Sequence, residues 1–180
     1  MEPKIYIGRD ADRDFLNTKS KEELIELLFL HMRNLWAVDG LYFLGIEEKF
    51  GTEQATEIDK NVWQTMGKIE ARKLKSFMNL GNDIESLITA LRTTSWALDL
   101  EDKEFELSEN RAIIRNIKCR TQLTRLNKNL TEFPCKPVRY GYLQAFAKEF
   151  NPKIKTICRV CPPDKHEQNL WCEWEFTLEY

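Results

Sequence analysis

Apolar residues recur at helical spacing through the first half of the chain. Ser20 and Glu23 have the spacing of a capping box, in which each side chain accepts a hydrogen bond from the backbone N–H of the other residue. A long helix is therefore predicted over residues 20–49, ending before a glycine. A second helix is predicted over residues 52–78 and a third over residues 83–92, because apolar positions repeat at helical intervals.

The first predicted helix carries apolar residues on more than one face, which is typical of a helix buried at the centre of a protein. The segment before it, residues 1–19, mixes acidic and basic side chains and is expected to form a loosely ordered arm. The chain is thus predicted to consist of this arm and a single domain over residues 20–180.

The hydrophobic period changes to two after Thr93. Strands are predicted near residues 96–100, 105–107, 113–119, 154–160 and 171–180, and a helix over residues 138–150. The domain then has a helical part over residues 20–92 and a sheet part over residues 93–180. Long N-terminal helices packed on a mostly antiparallel sheet with one inserted helix correspond to the α+β class.

The charge balance and the composition exclude several classes of protein. The chain has 27 lysine and arginine residues against 29 aspartate and glutamate residues, so a nucleic-acid-binding protein is not expected. The most apolar stretch, residues 24–46, includes Glu26, Arg33 and Asp39, which argues against a membrane span. The start of the sequence lacks a basic and then apolar leader, and a cytoplasmic location, where thiols stay reduced, is expected.

Four of the five cysteines lie in the last 46 residues of the chain. Cys158 and Cys161 form a C-x-x-C pair, a spacing at which two thiolates can bind one metal ion across a tight turn. Cys172 begins the partner strand of the same predicted hairpin, and Cys135 lies in a proline-flanked loop. Four thiolates match the tetrahedral coordination of structural zinc, so the sequence predicts a zinc site that stabilises the fold.

Two other interpretations of these cysteines stay open. A C-x-x-C pair also occurs in redox proteins, although the strand–C-x-x-C–helix context of thioredoxin is missing because prolines and a strand follow. Alternation along the predicted strands also allows Cys158 and Cys172 to be ordinary core residues. Cys119, on the inward face of its predicted strand, is expected in the core.

The cysteine pattern resembles that of a known group of proteins. Cys135, the pair Cys158 and Cys161, and Cys172 with the Glu-Trp-Glu-Phe that follows it resemble the zinc-binding end of the 4-vinyl reductase domain superfamily. The resemblance covers the C-terminal part of the chain and implies a small α+β domain that binds a small molecule and uses these four cysteines as zinc ligands. Some relatives have glutamate where Cys158 stands, and the loop before Cys172 is longer in this chain.

A second resemblance spans more of the chain on weaker motifs. The segments DGLYFL, which starts at Asp39, and EFPCK, which starts at Glu132, are similar to an uncharacterised prokaryotic family near the 2-amino-thiazoline-4-carboxylate hydrolases. This similarity implies a hydrolase that acts on a small cyclic amide-like substrate of the thiazoline type.

Polar residues within the first predicted helix are candidates for a binding site. His31, Asp39 and Tyr42, together with Trp36, line a pocket if their side of the helix faces the sheet. An Asp39 carboxyl in an apolar pocket would have a raised pKa and could act as a general base. The alternative is that these residues lie at the solvent edge and that Asp39 pairs with a neighbouring arginine.

Aromatic residues complete the predicted pocket between the helices and the sheet. Trp63 on the second helix adds an aromatic wall, unless its face is a salt-bridged surface, and Arg120 can bind a carboxylate or simply end a strand. The preferred function is therefore a small-molecule-binding protein with a structural zinc site. The first alternative is a hydrolase with Asp39, His31 or Cys119 as candidate catalytic groups, and a further one is a redox module. The apolar helices and the net charge of −2 also suggest a homodimer through an exposed side of the long helix.

Overall fold

The computed structural model describes residues 8–179 of the 180-residue chain. In chain order the elements are α1 (Gly8–Asn17), α2 (Lys21–Phe50), α3 (Thr52–Phe77), α4 (Ile84–Leu91), α5 (Ser95–Asp99), β1 (Asp102–Ser108), β2 (Arg111–Lys118), α6 (Arg120–Asn127), α7 (Cys135–Phe150), β3 (Ile154–Val160) and β4 (Cys172–Leu178). The predicted α+β class is confirmed. Residues 1–7 of the predicted arm and Tyr180 of the predicted last strand lie outside the described residues.

The chain forms two compact units. The first unit ends at Asp39 and the second begins at Gly40, so the boundary falls inside α2. The first unit contains α1 and the larger part of α2. The second unit contains the end of α2, the helices from α3 to α7 and the sheet. The predicted division between an arm and a single domain stays a prediction.

Helix α2 begins where the capping box predicts. The backbone N–H of Ser20 donates to Glu23 Oε2 at 2.8 Å, and the backbone N–H of Glu23 donates to Ser20 Oγ at 3.1 Å. The expectation that this helix is buried all round is wrong, because Leu28, Leu35 and Tyr42 are 56%, 46% and 71% exposed. Several apolar side chains of α2 are therefore not buried by the described residues. Neither α2 nor any other described helix is long and apolar enough to cross a membrane.

Two predictions of local structure before the sheet are wrong. Residues 8–17 of the predicted arm form α1, in which oppositely charged side chains lie three residues apart, Arg9 before Asp12 and Asp10 before Arg13. Residues 95–99 form α5 instead of a strand. Thr94 caps this helix by accepting a hydrogen bond at its Oγ1 from the backbone N–H of Ala97 at 3.2 Å. Tertiary packing then buries Trp96, whose alternation with its neighbours had suggested a strand.

Helix α6 replaces the predicted end of the third strand. The strand β2 stops at Lys118, and Arg120 is the first residue of the helix. Gln122 fixes α6 to the loop that follows it: its Nε2 donates to the carbonyl oxygen of Phe133 at 2.9 Å, and its Oε1 accepts from the Phe133 backbone N–H at 2.7 Å. This buried amide therefore supports the loop that leads into α7.

The four strands are each antiparallel to their neighbours in the order β1-β2-β4-β3. Alternation along the strands gives the sheet one apolar face, with Ile114, Trp174 and Phe176 almost completely buried. The other face carries ion pairs: Arg111 Nε lies 2.6 Å from Glu175 Oε1, and further arginine–glutamate pairs lie beside it. The helices α4 and α7 contact the strands of this sheet.

Strand β1 is an edge of the sheet. Its side chains are mostly charged, and those of Glu104 and Glu106 are exposed. Lys103 ties the start of the strand to α5, because its Nζ donates to the carbonyl oxygens of Ala97 at 2.5 Å and Leu100 at 3.0 Å. The β1 edge thus carries exposed carboxylates and a lysine that is hydrogen-bonded to the backbone at the end of α5.

Helix α7 lies against β3 on one side and against α3 on the other. Its fully buried side chains include Tyr142 and Phe146, whose ring centres lie 5.8 Å apart. Gly67 is the point of closest approach on α3: a Cβ atom at this position would lie 2.6 Å from the carbonyl oxygen of Tyr142. Glycine at this position therefore sets the distance between the two helices.

Candidate functional site

One side of α7 carries three chemically active side chains. Cys135, Arg139 and Tyr142 are spaced four and three residues apart, so they follow one another along the same stripe of the helix. Each of them contacts a different group. Cys135 lies beside the other cysteines, Arg139 lies over aromatic rings, and Tyr142 donates a hydrogen bond to a carboxylate on α3. The stripe therefore defines the candidate site.

The four C-terminal cysteines lie close together as free thiols. Cys161 is completely buried. Its hydrogen bonds with Cys135, Cys158 and Cys172, together with burial, raise the pKa of the Cys161 thiol far above its ordinary value. The predicted proximity of these residues is thus observed, and Cys161 is the protonated thiol to which the other three are connected.

The pKa values of two neighbours of Cys161 are lowered instead. Hydrogen bonding by Cys161 lowers the pKa of Cys135, and the guanidinium of Arg139 lowers it further. Hydrogen bonding by Cys161 also lowers the pKa of Cys158, with the ammonium group of Lys136 as an additional cause. The cluster therefore holds one thiol that keeps its proton beside two thiols that lose theirs more easily.

The prediction of a metal-binding group at these cysteines is wrong. Within residues 8–179, no group of three or more histidine, cysteine, aspartate or glutamate side chains is placed to hold a metal ion. Zinc as a cofactor stays a prediction from the sequence alone.

The turn that contains the C-x-x-C pair is fixed to the start of α7. The backbone N–H of Lys136 donates to the carbonyl oxygen of Pro162 at 2.8 Å, and Lys136 Nζ donates to Asp164 Oδ2 at 2.9 Å. The backbone N–H of Asp164 in turn donates to the carbonyl oxygen of Cys161 at 2.9 Å. These bonds place Cys135 beside Cys161 although 26 positions separate them in the sequence.

Arg139 is a buried cation, 6% exposed, that is surrounded by aromatic rings. Its guanidinium carbon lies 4.7 Å from the ring centre of Trp96, 5.1 Å from that of Tyr142 and 5.6 Å from that of Trp63. Cation–π interactions hold the charge there, where it acts on the neighbouring acidic groups. The sequence analysis missed this residue, although an arginine on the apolar side of a predicted helix is a signal that could have found it.

Glu70 on α3 is the acidic partner of the same stripe. Tyr142 Oη donates to Glu70 Oε2 at 2.7 Å. Burial raises the pKa of the Glu70 carboxyl, and the hydrogen bond from Tyr142 opposes this change. Burial and the nearby Glu70 also raise the pKa of Tyr142, which therefore remains a donor.

The substitution Glu70→Gln is expected to change how stability depends on pH. Because the pKa of Glu70 is raised in the folded state, its contribution to stability is complete below the unfolded value of 4.5 and is lost as the pH rises through the folded-state pKa. Glutamine still accepts the hydrogen bond from Tyr142 but does not titrate. The free energy of unfolding of the variant minus that of the wild type should therefore increase with pH, as measured by urea unfolding at several pH values.

A second variant checks the origin of this effect. Tyr142→Phe removes the hydrogen bond that lowers the pKa of Glu70, so the pH range of the change should move upward. A difference between Glu70→Gln and wild type that is constant across pH would contradict the assignment.

Of the predicted catalytic residues, Cys119 lies beside the cysteine cluster in the second unit, whereas His31 and Asp39 belong to the first unit. Burial raises the pKa of the Cys119 thiol to about 12, which makes it a poor nucleophile, and Cys135 and Cys172 lie near it. His31 is exposed on α2, and Asp39 is half-buried at the end of the first unit. A hydrolase that uses Asp39, His31 or Cys119 stays a prediction.

The predicted ligand-binding residues have different surroundings. Trp63 on α3 is buried next to Tyr142, with ring centres 5.8 Å apart, and thus contacts the stripe on α7. Arg120 instead forms an ion pair with Asp99, with Nη2 2.7 Å from Oδ1. Trp36 is half-buried and Tyr42 is exposed on α2. The aromatic-lined pocket and its small-molecule ligand stay predictions.

Comparison with known proteins gives a family but no function. No curated protein and no solved structure matches this chain. The resemblances to the 4-vinyl reductase domains and to the thiazoline hydrolases therefore stay predictions. One family description, "Family of unknown function (DUF6125)", matches residues 17–178. Because this match covers most of the sequence, the chain belongs to the DUF6125 family, whose function is unknown.

Proposed function

We propose that this protein is a thiol–disulfide protein in which Cys158 and Cys161 interconvert between a dithiol and a disulfide. The observation that supports the proposal is the position of the buried Cys161, which interacts with Cys158 as well as with Cys135 and Cys172. A C-x-x-C pair with both sulfur atoms in mutual contact needs little movement to form a bond between them.

The two cysteines of the pair differ in exposure and in charge. Cys158 lies on β3 and is partly exposed, whereas Cys161 is completely buried. Lys136 stabilises the thiolate form of Cys158, and hydrogen bonding by Cys161 does the same. An accessible thiolate next to a buried thiol is the arrangement of an attacking and a resolving cysteine.

The reaction partner that this chemistry needs is a low-molecular-weight disulfide, such as oxidised glutathione. The Cys158 thiolate attacks one sulfur of that disulfide, breaks its S–S bond and releases one glutathione. Cys161 passes its proton to Cys135, the hydrogen-bonded neighbour whose pKa is lowered, and the resulting Cys161 thiolate attacks the sulfur of Cys158 and releases the second glutathione as its thiolate. Counted from the dithiol, the protein loses two electrons and two protons, and the two glutathione thiolates take up those protons and become two thiols.

The surroundings of the pair support a reversible reaction. The turn after Cys161 is anchored to Lys136 on α7, so the buried thiol keeps its place when Cys158 reacts. A cytoplasmic location, which is an expectation from the sequence, would keep the pair in the dithiol form until an oxidant arrives.

The test is oxidation of the purified full-length chain by oxidised glutathione. The reduced protein is incubated with a series of glutathione redox ratios, free thiols are blocked with iodoacetamide, and the peptides are analysed by mass spectrometry. We expect one disulfide between Cys158 and Cys161, which dithiothreitol reverses. Cys158→Ser should abolish this product, whereas Cys161→Ser should stop at a mixed disulfide of Cys158 with glutathione.

Cys119→Ser is the matched control, because Cys119 is a buried cysteine near the same cluster whose thiol is held protonated. This variant should oxidise as the wild type does. The proposal fails if the pair stays reduced at oxidising glutathione ratios, or if elemental analysis of the reduced protein finds one zinc ion per chain that blocks the oxidation.

A further inference from the structure

Helix α2 carries a row of side chains that are exposed to solvent within the described residues. The row consists of Leu24, Leu28, His31, Leu35 and Val38, and it is named the α2 stripe here. The four aliphatic members are between 39% and 56% exposed, and His31 is exposed as well. The stripe lies within the part of α2 that belongs to the first unit.

The spacing of the α2 stripe is that of a helix that packs against a second helix. Successive members are four, three, four and three residues apart, which is an average period of 3.5. In a coiled coil these positions are a and d, and leucine and valine are residues that fill them.

The exposed row is distinct from the buried side of the same helix. Met32 is 6% exposed and Phe29 and Trp36 are half-buried, and these residues follow a parallel row. The apolar residues of α2 therefore form two stripes, of which one is covered within the described chain and the other is not. This arrangement explains why the sequence pattern suggested burial on every side.

The exposed apolar area at the α2 stripe reaches the lower bound of a specific interface. Its four aliphatic side chains and the neighbouring Ile25 are each at least 39% exposed. Leu30 lies on a different side of the helix and does not count toward this area. Each of the five side chains exposes on the order of 100 Å², so each copy presents roughly 500 Å² and two copies bury about 1,000 Å². A specific interface between two proteins buries at least about 1,000 Å² in total.

We propose that the α2 stripe is a dimer interface, and that its occupant is the same stripe of a second copy of this chain. The stripe is complementary to itself, because four of its five members are aliphatic and it contains no acidic residue, lysine or arginine. Two copies related by a two-fold axis can therefore pack without bringing like charges of these types together. Glu26 and Arg33 lie on other sides of the helix, where they stay in water.

The test is the mass of the full-length chain in solution, by light scattering and by sedimentation equilibrium at micromolar concentration. The wild type should have twice the chain mass of 21.3 kDa. Leu35→Glu and, independently, Leu28→Glu should give a monomer, because each places a carboxylate in the dimer interface. Leu30→Glu is the matched control: Leu30 is 53% exposed on the same helix but does not belong to the α2 stripe, so this variant should remain dimeric.

Several outcomes decide against the dimer. A wild type that sediments as a monomer overturns it and leaves a different protein or a lipid surface as the occupant. A dimer that persists in both Leu28→Glu and Leu35→Glu overturns it as well, and so does a loss of the dimer in Leu30→Glu equal to that in Leu35→Glu. Circular dichroism of each variant shows that a monomer is folded. The proposal is independent of the thiol chemistry, and reduced protein is used throughout.

Discussion

Replacing Glu47 by alanine is expected to lower the free energy of unfolding by about 3 kcal/mol, the lower end of the range for breaking a buried ion pair. Arg125 Nη1 lies 2.8 Å from Glu47 Oε2, and Arg125 Nη2 lies 2.9 Å from Glu47 Oε1. The side chains of Arg125 and Glu47 are only 8% and 14% exposed. Without Glu47, the guanidinium of Arg125 would stay buried without its counter-charge. Urea unfolding near neutral pH measures the loss.

The pH dependence of this loss follows from the pKa of Glu47. Hydrogen bonding by Arg125 lowers that pKa below 4.5, so the stabilising contribution is present above the unfolded value and is lost as the pH falls through the folded-state pKa. The difference between wild type and Glu47→Ala should therefore shrink in acid. A loss of less than about 1 kcal/mol at neutral pH, the value of a surface ion pair, would contradict the buried character of this pair.

Replacing Gly67 by alanine is expected to lower the free energy of unfolding by about 2–3 kcal/mol, because it overpacks the contact between α3 and α7. The added Cβ atom would lie 2.6 Å from the carbonyl oxygen of Tyr142, and this atom belongs to the backbone of a helix and cannot turn aside. The two helices have to move apart, and the packing around Trp63 and Tyr142 is lost in part. Thermal and urea unfolding measure the change.

Gly40→Ala is the matched control for this substitution. Gly40 also lies inside a long helix, but a Cβ atom there meets nothing within 4 Å. Alanine has the higher helix propensity, so this variant should be stabilised by about 0.5–1 kcal/mol. If both variants had the same effect, close packing at Gly67 would not be the cause.

Elements with strong local signals were predicted correctly. The strand β3 has the predicted bounds, Ile154–Val160, and α2 starts after the predicted capping box of Ser20 and Glu23. The capping box joins residues three positions apart, and the alternation that predicts β3 can be read within the strand itself although its partner is β4. The strand predicted over residues 96–100 is not observed. Period-two alternation over so few residues also fits one turn of helix, and the hydrogen bond that Thr94 accepts at the N-terminus of α5 stabilises the helix.

The candidate site was predictable only in part. The C-x-x-C spacing and the predicted hairpin were enough to place Cys158, Cys161 and Cys172 near one another. The bond between Tyr142 and Glu70 was not predictable, because 72 positions separate the two residues and the packing of α7 on α3 decides it. The exposure of α2 was missed for a related reason, since an apolar pattern does not tell whether the covering surface belongs to the same chain.

The edge strand β1 bears on how this protein behaves at high concentration. An open edge presents unpaired backbone groups to any other extended chain, and natural sheets protect such edges with charge. Glu104 and Glu106 share one guanidinium, that of Arg115, so two molecules that approached each other edge to edge at β1 would bring an excess of carboxylate against its own copy. Fibril growth through the β1 edge is therefore disfavoured.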